Sequence, residues 1–363
     1  MQIRQLHRKK TTNNNKADFV RLYLITSKEK TMDNYYNRYA DPGFYLKRDA
    51  QKKEIRILGF YVGLALISQI IIQNVLAFGI NIGGLTDKYL TDGVFQNAAD
   101  IIITFLSFLL PYFFIGQRMK RVSGIKEPVP LGKPVDGLSF ILAVVAGIGF
   151  CMIANIITSY LTVILSVFGI ELSSPDIPMP SGPAGVITTV IRVAVVAAVS
   201  EEITLRGYVM GNMRKYGDKF AILASALVFA VMHGNLVQAP FALIAGFGLG
   251  YLSIKTGTVW TGITIHAANN FISVAISYAM ESLPEETVNI IYTFVLYGFI
   301  VFGLIALSLL RSRTGTIKLR EENILLTTAE KAKAFFLNPA MIIALCYMLY
   351  ITAQYVGFGF KVK

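Results

Sequence analysis

Long, predominantly apolar runs, separated by charged or glycine-rich segments, restrict the folds that this sequence can adopt. Several exceed about 18 residues, which is enough to cross a hydrocarbon core of roughly 30 Å. Because lipid offers no hydrogen-bond partner to the backbone, such runs fold as helices. Hydrophobic residues make up 54% of the 363 residues and charged residues only 15%, against about 25% in soluble domains. The sequence predicts an all-α polytopic membrane protein, a bundle of eight or nine transmembrane helices.

Nine spans are predicted, and the ninth ends in the less apolar stretch "YVGFGFKVK". They cover residues 57–82, 98–116, 137–168, 184–213, 220–236, 240–254, 259–280, 288–310 and 340–358. The chain then divides into a basic N-terminal arm (1–56), two N-terminal helices with their loop (57–136), a core (137–310), and a basic loop with a C-terminal helix (311–363).

The positive charge of the chain lies mainly between the spans. Lys and Arg number 34 against 22 acidic residues, a net charge of +12. Basic loops alternate with loops that are poor in Lys and Arg, a pattern that predicts a cytoplasmic N-terminus. No nucleic-acid motif accompanies the charge, so the expected partners are membrane lipid and a substrate, without nucleic acid.

The N-terminal arm holds 14 Lys and Arg residues and 6 acidic ones. No apolar core follows its "KKTTNNNK" stretch, so it does not read as a cleaved signal peptide. We expect a solvated arm. Met32 is an alternative start to Met1, and the intact mass of the native protein would decide between them.

Few ionisable side chains lie deep in the spans. They are Arg192, Glu201, Glu202, Arg206, His233 and His266. A charge at a helix centre costs about 2.5–3.5 kcal/mol on insertion scales, so such groups face the bundle interior or a wet cavity. Arg192 lies nearer the outer face and is expected to snorkel or to pair.

Three of these groups lie at matching depth. Glu201, His233 and His266 are 13, 14 and 11 residues from the nearest basic residues of the cytoplasmic loops, or roughly 16–21 Å at 1.5 Å per residue. A carboxylate and two imidazoles from three helices at one depth indicate a single shared polar site.

Helical spacing assigns different roles to the two adjacent glutamates. Glu202 and Arg206 are four residues apart and can form an ion pair on one helix face. Glu201 lies about 100° away around the helix and cannot share that partner as well. The pair is therefore interpreted as structural, and Glu201 as chemical.

Two further residues accompany the histidines at helical spacing. Phe229 lies one turn before His233 and can wall the site or fix the imidazole. Asn270 lies one turn after His266, where its amide N–H suits a pair of donors facing an oxyanion. Asn269 is off that face.

A metal ion is an open alternative. The H-E-x-x-H spacing of many zinc proteases is absent. Glu201, His233 and His266 could hold Zn²⁺ with an open position, or they could activate water without a metal.

The segments "EEITLR", "FAVMH" and "HAANN" resemble the three signatures E-E-x-x-x-R, F-x-x-x-H and H-x-x-x-N of the CAAX protease and bacteriocin-processing family of intramembrane endopeptidases. The resemblance covers about residues 137–310. It implies an all-helical intramembrane protease, with a cavity open to the cytoplasmic side, acting on a peptide or a lipidated CAAX-type tail. The expected location is a bacterial cell membrane.

When the roles of the family's motif residues are assigned to the matching positions of this sequence, the resemblance implies that Glu201 and His233 activate water. His266 and Asn270 would stabilise the tetrahedral oxyanion, with Glu202, Arg206 and Phe229 in support. Both metal-dependent and metal-free mechanisms are argued for the family.

Two other classes of function remain open. A membrane immunity or scaffold protein could keep the same core and work by binding alone. A proton-coupled transporter would also use buried Glu and His, but no inverted repeat is visible.

Overall fold

The computed structural model describes residues 42–134, 136–315, 319–320 and 325–359. The predictions for residues 1–41, including the choice between Met1 and Met32, lie outside the described residues. The chain divides into residues 1–52 and residues 53–363. Of the first unit only the start of helix α1 is described, and all the other elements belong to the second.

Helices account for nearly all the regular structure of the described residues. They are α1 (Pro42–Ile82), α2 (Thr86–Thr91), α3 (Gly93–Ser123), α4 (Gly137–Val167), α5 (Gly182–Tyr216), α6 (Asp218–Met232), α7 (Ala239–Thr256), α8 (Trp260–Ser282), α9 (Glu285–Thr314), α10 (Thr328–Phe336) and α11 (Pro339–Gln354). Strands β1 (Ile170–Leu172) and β2 (Val356–Phe358) pair antiparallel.

Six of the described helices are long and apolar enough to cross a membrane: α1, α3, α4, α5, α7 and α9. Helices α10 and α11 pass the same test together, as a broken span or re-entrant loop bent by 80°, and raise the number to seven. The prediction of an all-α polytopic membrane protein is confirmed, and its eight or nine spans compare with six or seven candidate spans among the described residues.

The difference between the predicted and the observed number of spans arises at two of the predicted spans. Residues 220–236 and 259–280 do form helices, α6 and α8. Helix α6 has only 15 residues, about 22 Å at 1.5 Å per residue, which is shorter than the hydrocarbon core. Helix α8 has 23 residues, but polar side chains such as His266, Asn269 and Asn270 interrupt it.

The ninth predicted span, 340–358, is also corrected. Its helix ends at Gln354, and residues 356–358 form β2 instead. Leu172 pairs with Val356 and Ile170 with Phe358, which fixes the end of α11 to the chain that follows α4. A contact between segments so far apart in sequence has no local signal.

Several helix boundaries follow from side-chain caps. The Asp92 carboxylate accepts hydrogen bonds from the backbone N–H groups of Val94 and Phe95 at the start of α3. Asp136 caps α4 in the same way through Ser139. Such caps satisfy N–H groups that have no partner within the helix.

Two apolar clusters hold residues 53–363 together. One is formed by α1, α3, α5, α6, α7, α10 and α11 and includes Leu58, Tyr112, Leu205 and Phe335. The other is formed by α4, α7, α8 and α9 and includes Cys151. Helix α4 packs against α9, α7 and α8, and α8 packs against α5.

Helix α5 changes its winding on both sides of the two glutamates. Its segments Val190–Val196 and Ile203–Val209 are π-helical, and Ala197–Glu202 between them is α-helical. π-helical turns inside α-helices are found frequently at functional sites. Here they bracket the segment that carries both acidic residues.

Candidate functional site

A cavity of about 760 Å³ lies among helices α3 to α8. Five of the predicted site residues line it: Glu201, Phe229, His233, His266 and Asn270. The ion pair formed by Glu202 and Arg206 is fully buried and is not part of the cavity wall. The structure thus brings the carboxylate and both imidazoles to one cavity, with the buried pair outside it.

Glu201 lies beside His266 in the cavity wall. Its Oε2 is 3.8 Å from His266 Nε2 and is a buried oxygen without a hydrogen-bond partner. A buried polar atom without a partner is costly, and native structures rarely keep one without a reason. An oxygen of this kind that faces a cavity is available to a water molecule or to a substrate.

The other side of the His266 ring contacts the second glutamate. His266 Nδ1 lies 3.1 Å from Glu202 Oε1. Because a carboxylate only accepts, Nδ1 carries the proton of this bond. In the neutral ring Nε2 is then the unprotonated nitrogen, and it is the one that faces Glu201.

Glu202 joins His266 to the buried arginine. Its Oε1 also accepts a hydrogen bond of 2.9 Å from Arg206 Nη1, and neither side chain of this pair is exposed. Helix α8 can approach this carboxylate because it has a glycine there. A Cβ atom at Gly262 would lie 2.5 Å from Glu202 Oε2.

His233 is oriented by its own helix. It follows the last residue of α6, and its Nδ1 lies 2.8 Å from the backbone oxygen of Phe229. A carbonyl oxygen only accepts, so Nδ1 carries the proton and Nε2 is the acceptor. The next residue, Gly234, has a φ of 61°, a left-handed conformation that glycine adopts at low cost.

The Phe229 ring contacts three of the predicted site residues. Its centroid lies 4.9 Å from that of His233 and 5.7 Å from that of His266, both edge to face. The Arg206 guanidinium carbon lies over the ring at 4.6 Å. Phe229 therefore separates the buried ion pair from the cavity and restricts both imidazoles.

Asn270 connects α8 to the first π-helical segment of α5. Its Nδ2 donates to the Val193 backbone oxygen at 2.9 Å, which leaves one N–H of the amide for another acceptor. Asn269, which the spacing had placed off the His266 face, also lines the cavity. Its buried Oδ1 has no partner.

One ionic cluster of the cavity was only partly anticipated. Arg192, which lines the cavity, pairs with Asp100 of α3 at 2.8 Å and donates to Asn97 Oδ1 at 2.9 Å. The expectation that Arg192 pairs or snorkels is met by pairing. One sequence feature could have predicted this ion pair: Asp100 and Arg192 are opposite charges in separate apolar runs.

Asn155 and Ser159 of α4 also line the cavity, and sequence reasoning missed them. They are four residues apart and share a helix face. Isolated polar residues in an apolar run give no further indication of what they face.

The donor set does not match a zinc site as placed. Among the described residues, no group of three or more His, Cys, Asp or Glu side chains is arranged to hold a metal ion. Glu201 makes its ion-pair contact with His266 and not with His233. Glu201, His233 and His266 therefore do not form, in this arrangement, the three-ligand site that the sequence left open.

Comparison with known families agrees with the motifs. The family model described as Type II CAAX prenyl endopeptidase Rce1-like matches residues 183–272. This segment contains all the residues of the three motifs, from Glu201 to Asn270, and the match confirms the resemblance that they indicated. No match to a curated protein or to a solved structure was found.

Proposed function

We propose that this integral membrane protein is an intramembrane endopeptidase that hydrolyses a peptide bond in a membrane-associated peptide or in a prenylated CAAX-type tail. The observation that carries the proposal is the contact of Glu201 with His266. A buried carboxylate oxygen without a partner lies 3.8 Å from a ring nitrogen, in the wall of a 760 Å³ cavity. The family match over residues 183–272 supports the same class of reaction.

Glu201 is the general base in this proposal. A water molecule about 2.8 Å from both Glu201 Oε2 and His266 Nε2 is compatible with their 3.8 Å separation. Glu201 takes a proton from this water as the oxygen attacks the scissile carbonyl carbon. The two hydrogens of this water point to Glu201 and His266, and His233, which lines the same cavity, limits its position by contact.

His266 and Asn270 stabilise the negative charge that develops on the carbonyl oxygen. His266 Nε2 receives the proton from Glu201 and then donates a hydrogen bond to the oxyanion. Asn270 contributes the N–H that does not bind Val193. Donors of this kind contribute about 2.7–4 kcal/mol each. When the tetrahedral intermediate collapses, the C–N bond breaks and the proton passes to the leaving amine.

Glu202, Arg206 and Phe229 are positioning residues in this proposal. Glu202 holds His266 Nδ1, and Arg206 balances the charge of Glu202. Phe229 packs against both imidazoles. These contacts restrict the two rings to orientations in which Nε2 is available.

We also propose a cytoplasmic N-terminus and a substrate that enters from the cytoplasmic side, in a bacterial cell membrane. The alternation of basic and non-basic loops supports the orientation. Cysteine labelling of loops in intact cells tests it. Labels that reach residues 169–183 only from outside agree with the proposal, and labels that reach them only from inside contradict it.

The enzymatic proposal is tested with purified protein, S-farnesylated peptides, unmodified leader-type peptides and mass spectrometry of the products. We expect cleavage by the wild type and its loss in Glu201→Gln, His233→Gln and His266→Gln. Glu127→Gln changes an exposed loop residue and is the matched control. Full activity in all three site variants contradicts the assignment.

The same preparation addresses the metal and the rival functions. Elemental analysis measures the metal content of the preparation, and we expect chelation to leave its activity unchanged. Loss of activity on chelation, with recovery on adding Zn²⁺, contradicts the metal-free route. Binding of peptides without cleavage supports a scaffold protein. Proton-coupled flux in liposomes supports a transporter.

A further inference from the structure

We infer that Arg192 binds a carboxylate of the substrate chain at a subsite separate from the Glu201–His266 pair. The inference rests on the proposed function, because it takes the cavity to be a peptide site. The carboxylate has two sources in a peptide, the free C-terminus and an acidic side chain, and the experiment below distinguishes them.

The first observation is the position of the guanidinium. Among the described lining residues of the cavity, Arg192 is the one Lys or Arg side chain and Glu201 the one carboxylate. Arg192 and Glu201 are nine positions apart in α5, an axial distance of at most about 13 Å at the α-helical rise of 1.5 Å per residue. The cavity therefore has a cation at one level and the carboxylate of the proposed base at another.

The second observation is that the guanidinium is held in a fixed orientation. Asp100 pairs with Nη2 at 2.8 Å, and Asn97 Oδ1 accepts from Nη1 at 2.9 Å. Both partners are themselves held. Tyr89 donates to Asp100 at 2.7 Å, and buried Asn97 donates to Thr189 at 2.9 Å. Such a network limits the reorganisation needed to bind an anion.

The third observation is unused hydrogen-bonding capacity. A guanidinium has five N–H groups, and the contacts with Asp100 and Asn97 engage two of them. Arg192 lines the cavity and its side chain is 20% exposed, so the guanidinium retains donors that these two contacts do not use. A planar guanidinium suits a carboxylate because it can donate two parallel hydrogen bonds.

Other groups of the cavity wall suit a polar chain better than a lipid tail. Thr158 is 8% exposed and Asn269 is 4% exposed. The Thr158 hydroxyl and the Asn269 Oδ1 are buried without partners. Both can accept hydrogen bonds from backbone N–H groups, which an extended peptide offers at every residue and an acyl chain lacks.

The axial distance sets the length of peptide between the two subsites. An extended chain spans at most about 3.3–3.6 Å per residue, so about 13 Å corresponds to about four residues. Arg192 would thus select substrates with a carboxylate at that distance from the scissile bond. Binding to Arg192 would therefore depend on where along the peptide the carboxylate lies, and not only on its presence.

The test measures binding to the Glu201→Gln protein in detergent micelles, where cleavage is suppressed. The probes are an S-farnesylated octapeptide with a free C-terminal carboxylate, its C-terminal amide, and amides carrying one Asp at successive positions. Hydrogen bonds between two charged groups are stronger than those between neutral groups, and a tenfold change in Kd corresponds to about 1.4 kcal/mol. We expect the acid to bind roughly tenfold or more tightly than the amide.

Further substitutions in the Glu201→Gln background assign the difference to Arg192. Arg192→Gln should remove the preference for the acid. Asp100→Asn retains the guanidinium but removes its counter-ion, and should increase the preference. Arg214→Gln is the control, because Arg214 lies on the same helix, pairs with Asp218 at 2.9 Å and does not line the cavity.

The outcomes separate the two proposals. An acid preference that persists in Arg192→Gln, or no binding of any probe, overturns the inference. An acid preference that depends on Arg192, in a protein whose wild type cleaves no peptide, supports the subsite and contradicts the protease. A preference restored by one Asp in the amide series identifies a side-chain carboxylate, and its absence there identifies the C-terminus.

Discussion

The Oε1 atom of Glu202 lies 3.1 Å from Nδ1 of His266, across the contact between helices α5 and α8. The same oxygen accepts the 2.9 Å hydrogen bond from Arg206. One buried carboxylate thus supports an imidazole of the cavity and neutralises a buried guanidinium. Its neighbour in sequence, Glu201, faces the cavity. The two adjacent glutamates should therefore respond differently to the same substitution.

Glu202→Gln should destabilise the protein. The change leaves Arg206 as a buried charge without a counter-ion, and removing one partner of a buried pair costs about 3–5 kcal/mol. Thermal unfolding in detergent measures the loss. Glu127→Gln, at an exposed loop position, should unfold as the wild type does. Equal unfolding temperatures for Glu202→Gln and the wild type would show that the pair does not stabilise the fold.

Glu201→Gln should remove activity and leave stability nearly unchanged. The substitution keeps the shape of the side chain but removes the base, and general base catalysis contributes about 10²–10⁴-fold. The buried Oε2 has no hydrogen-bond partner to lose. We expect kcat to fall within that range at an unchanged unfolding temperature. A variant with wild-type kcat would exclude Glu201 as the base.

Gly262→Ala should displace Glu202 and lower both stability and activity. The added Cβ would lie 2.5 Å from Glu202 Oε2 and 3.1 Å from Ser253 Oγ, so helix α8 or the carboxylate must move. Gly298→Ala in α9 is the matched control, since its Cβ meets nothing within 4 Å. Alanine there should be neutral or stabilising by up to about 1 kcal/mol.

The readout for the glycine pair is the unfolding temperature together with kcat. If Gly262→Ala behaved as Gly298→Ala does, the close approach of α8 to Glu202 would have no energetic consequence.

The Asp136–Arg313 ion pair should stabilise the protein over the neutral pH range. Arg313 Nε lies 2.8 Å from Asp136 Oδ2, and Ser139 donates to the same oxygen. The hydrogen bond from Arg313, followed by those from Ser139, holds the pKa of Asp136 well below its ordinary value of 3.8. A carboxyl whose folded pKa is lowered contributes stability above its unfolded pKa and loses it as the pH falls.

Asp136→Asn measures this contribution, because asparagine retains the capping oxygen without the charge. The difference in unfolding temperature between the wild type and the variant should be constant from about pH 8 to pH 5. It should shrink once the pH falls below about 3.8. A difference that grew on acidification would have the wrong sign for this ion pair.

Local spacing predicted much of the site but not the contacts between its helices. Glu202 and Arg206, four residues apart, pair as expected, and Glu201, His233 and His266 reach one cavity. The contact of both glutamates with His266 was not predicted. The α-helical period predicts a direction for Glu201, but π-helical turns flank the segment that carries it. Periodicity also cannot show which residue of α8 faces which residue of α5.

The fold, like the site, was predicted in its local features but not in its long-range contacts. Apolar runs located the helices because lipid forces them to satisfy their own backbone. They did not show that α10 and α11 meet at 80°, or that Val356–Phe358 pairs with Ile170–Leu172. The Arg192–Asp100 pair depends on contact between α5 and α3, which no local pattern encodes.

If Glu201 and Arg192 act on one substrate as proposed, the π-helical turns on either side of Glu201 make the exact length of α5 matter for function. Deleting one residue between Val193 and Val196 would leave the segment as apolar as before, and it could still cross the bilayer. The deletion would turn Arg192 by about 100° relative to Glu201, so that the two proposed subsites would no longer face one substrate. Natural variation should therefore tolerate exchanges of apolar residues in this stretch and reject single-residue insertions and deletions.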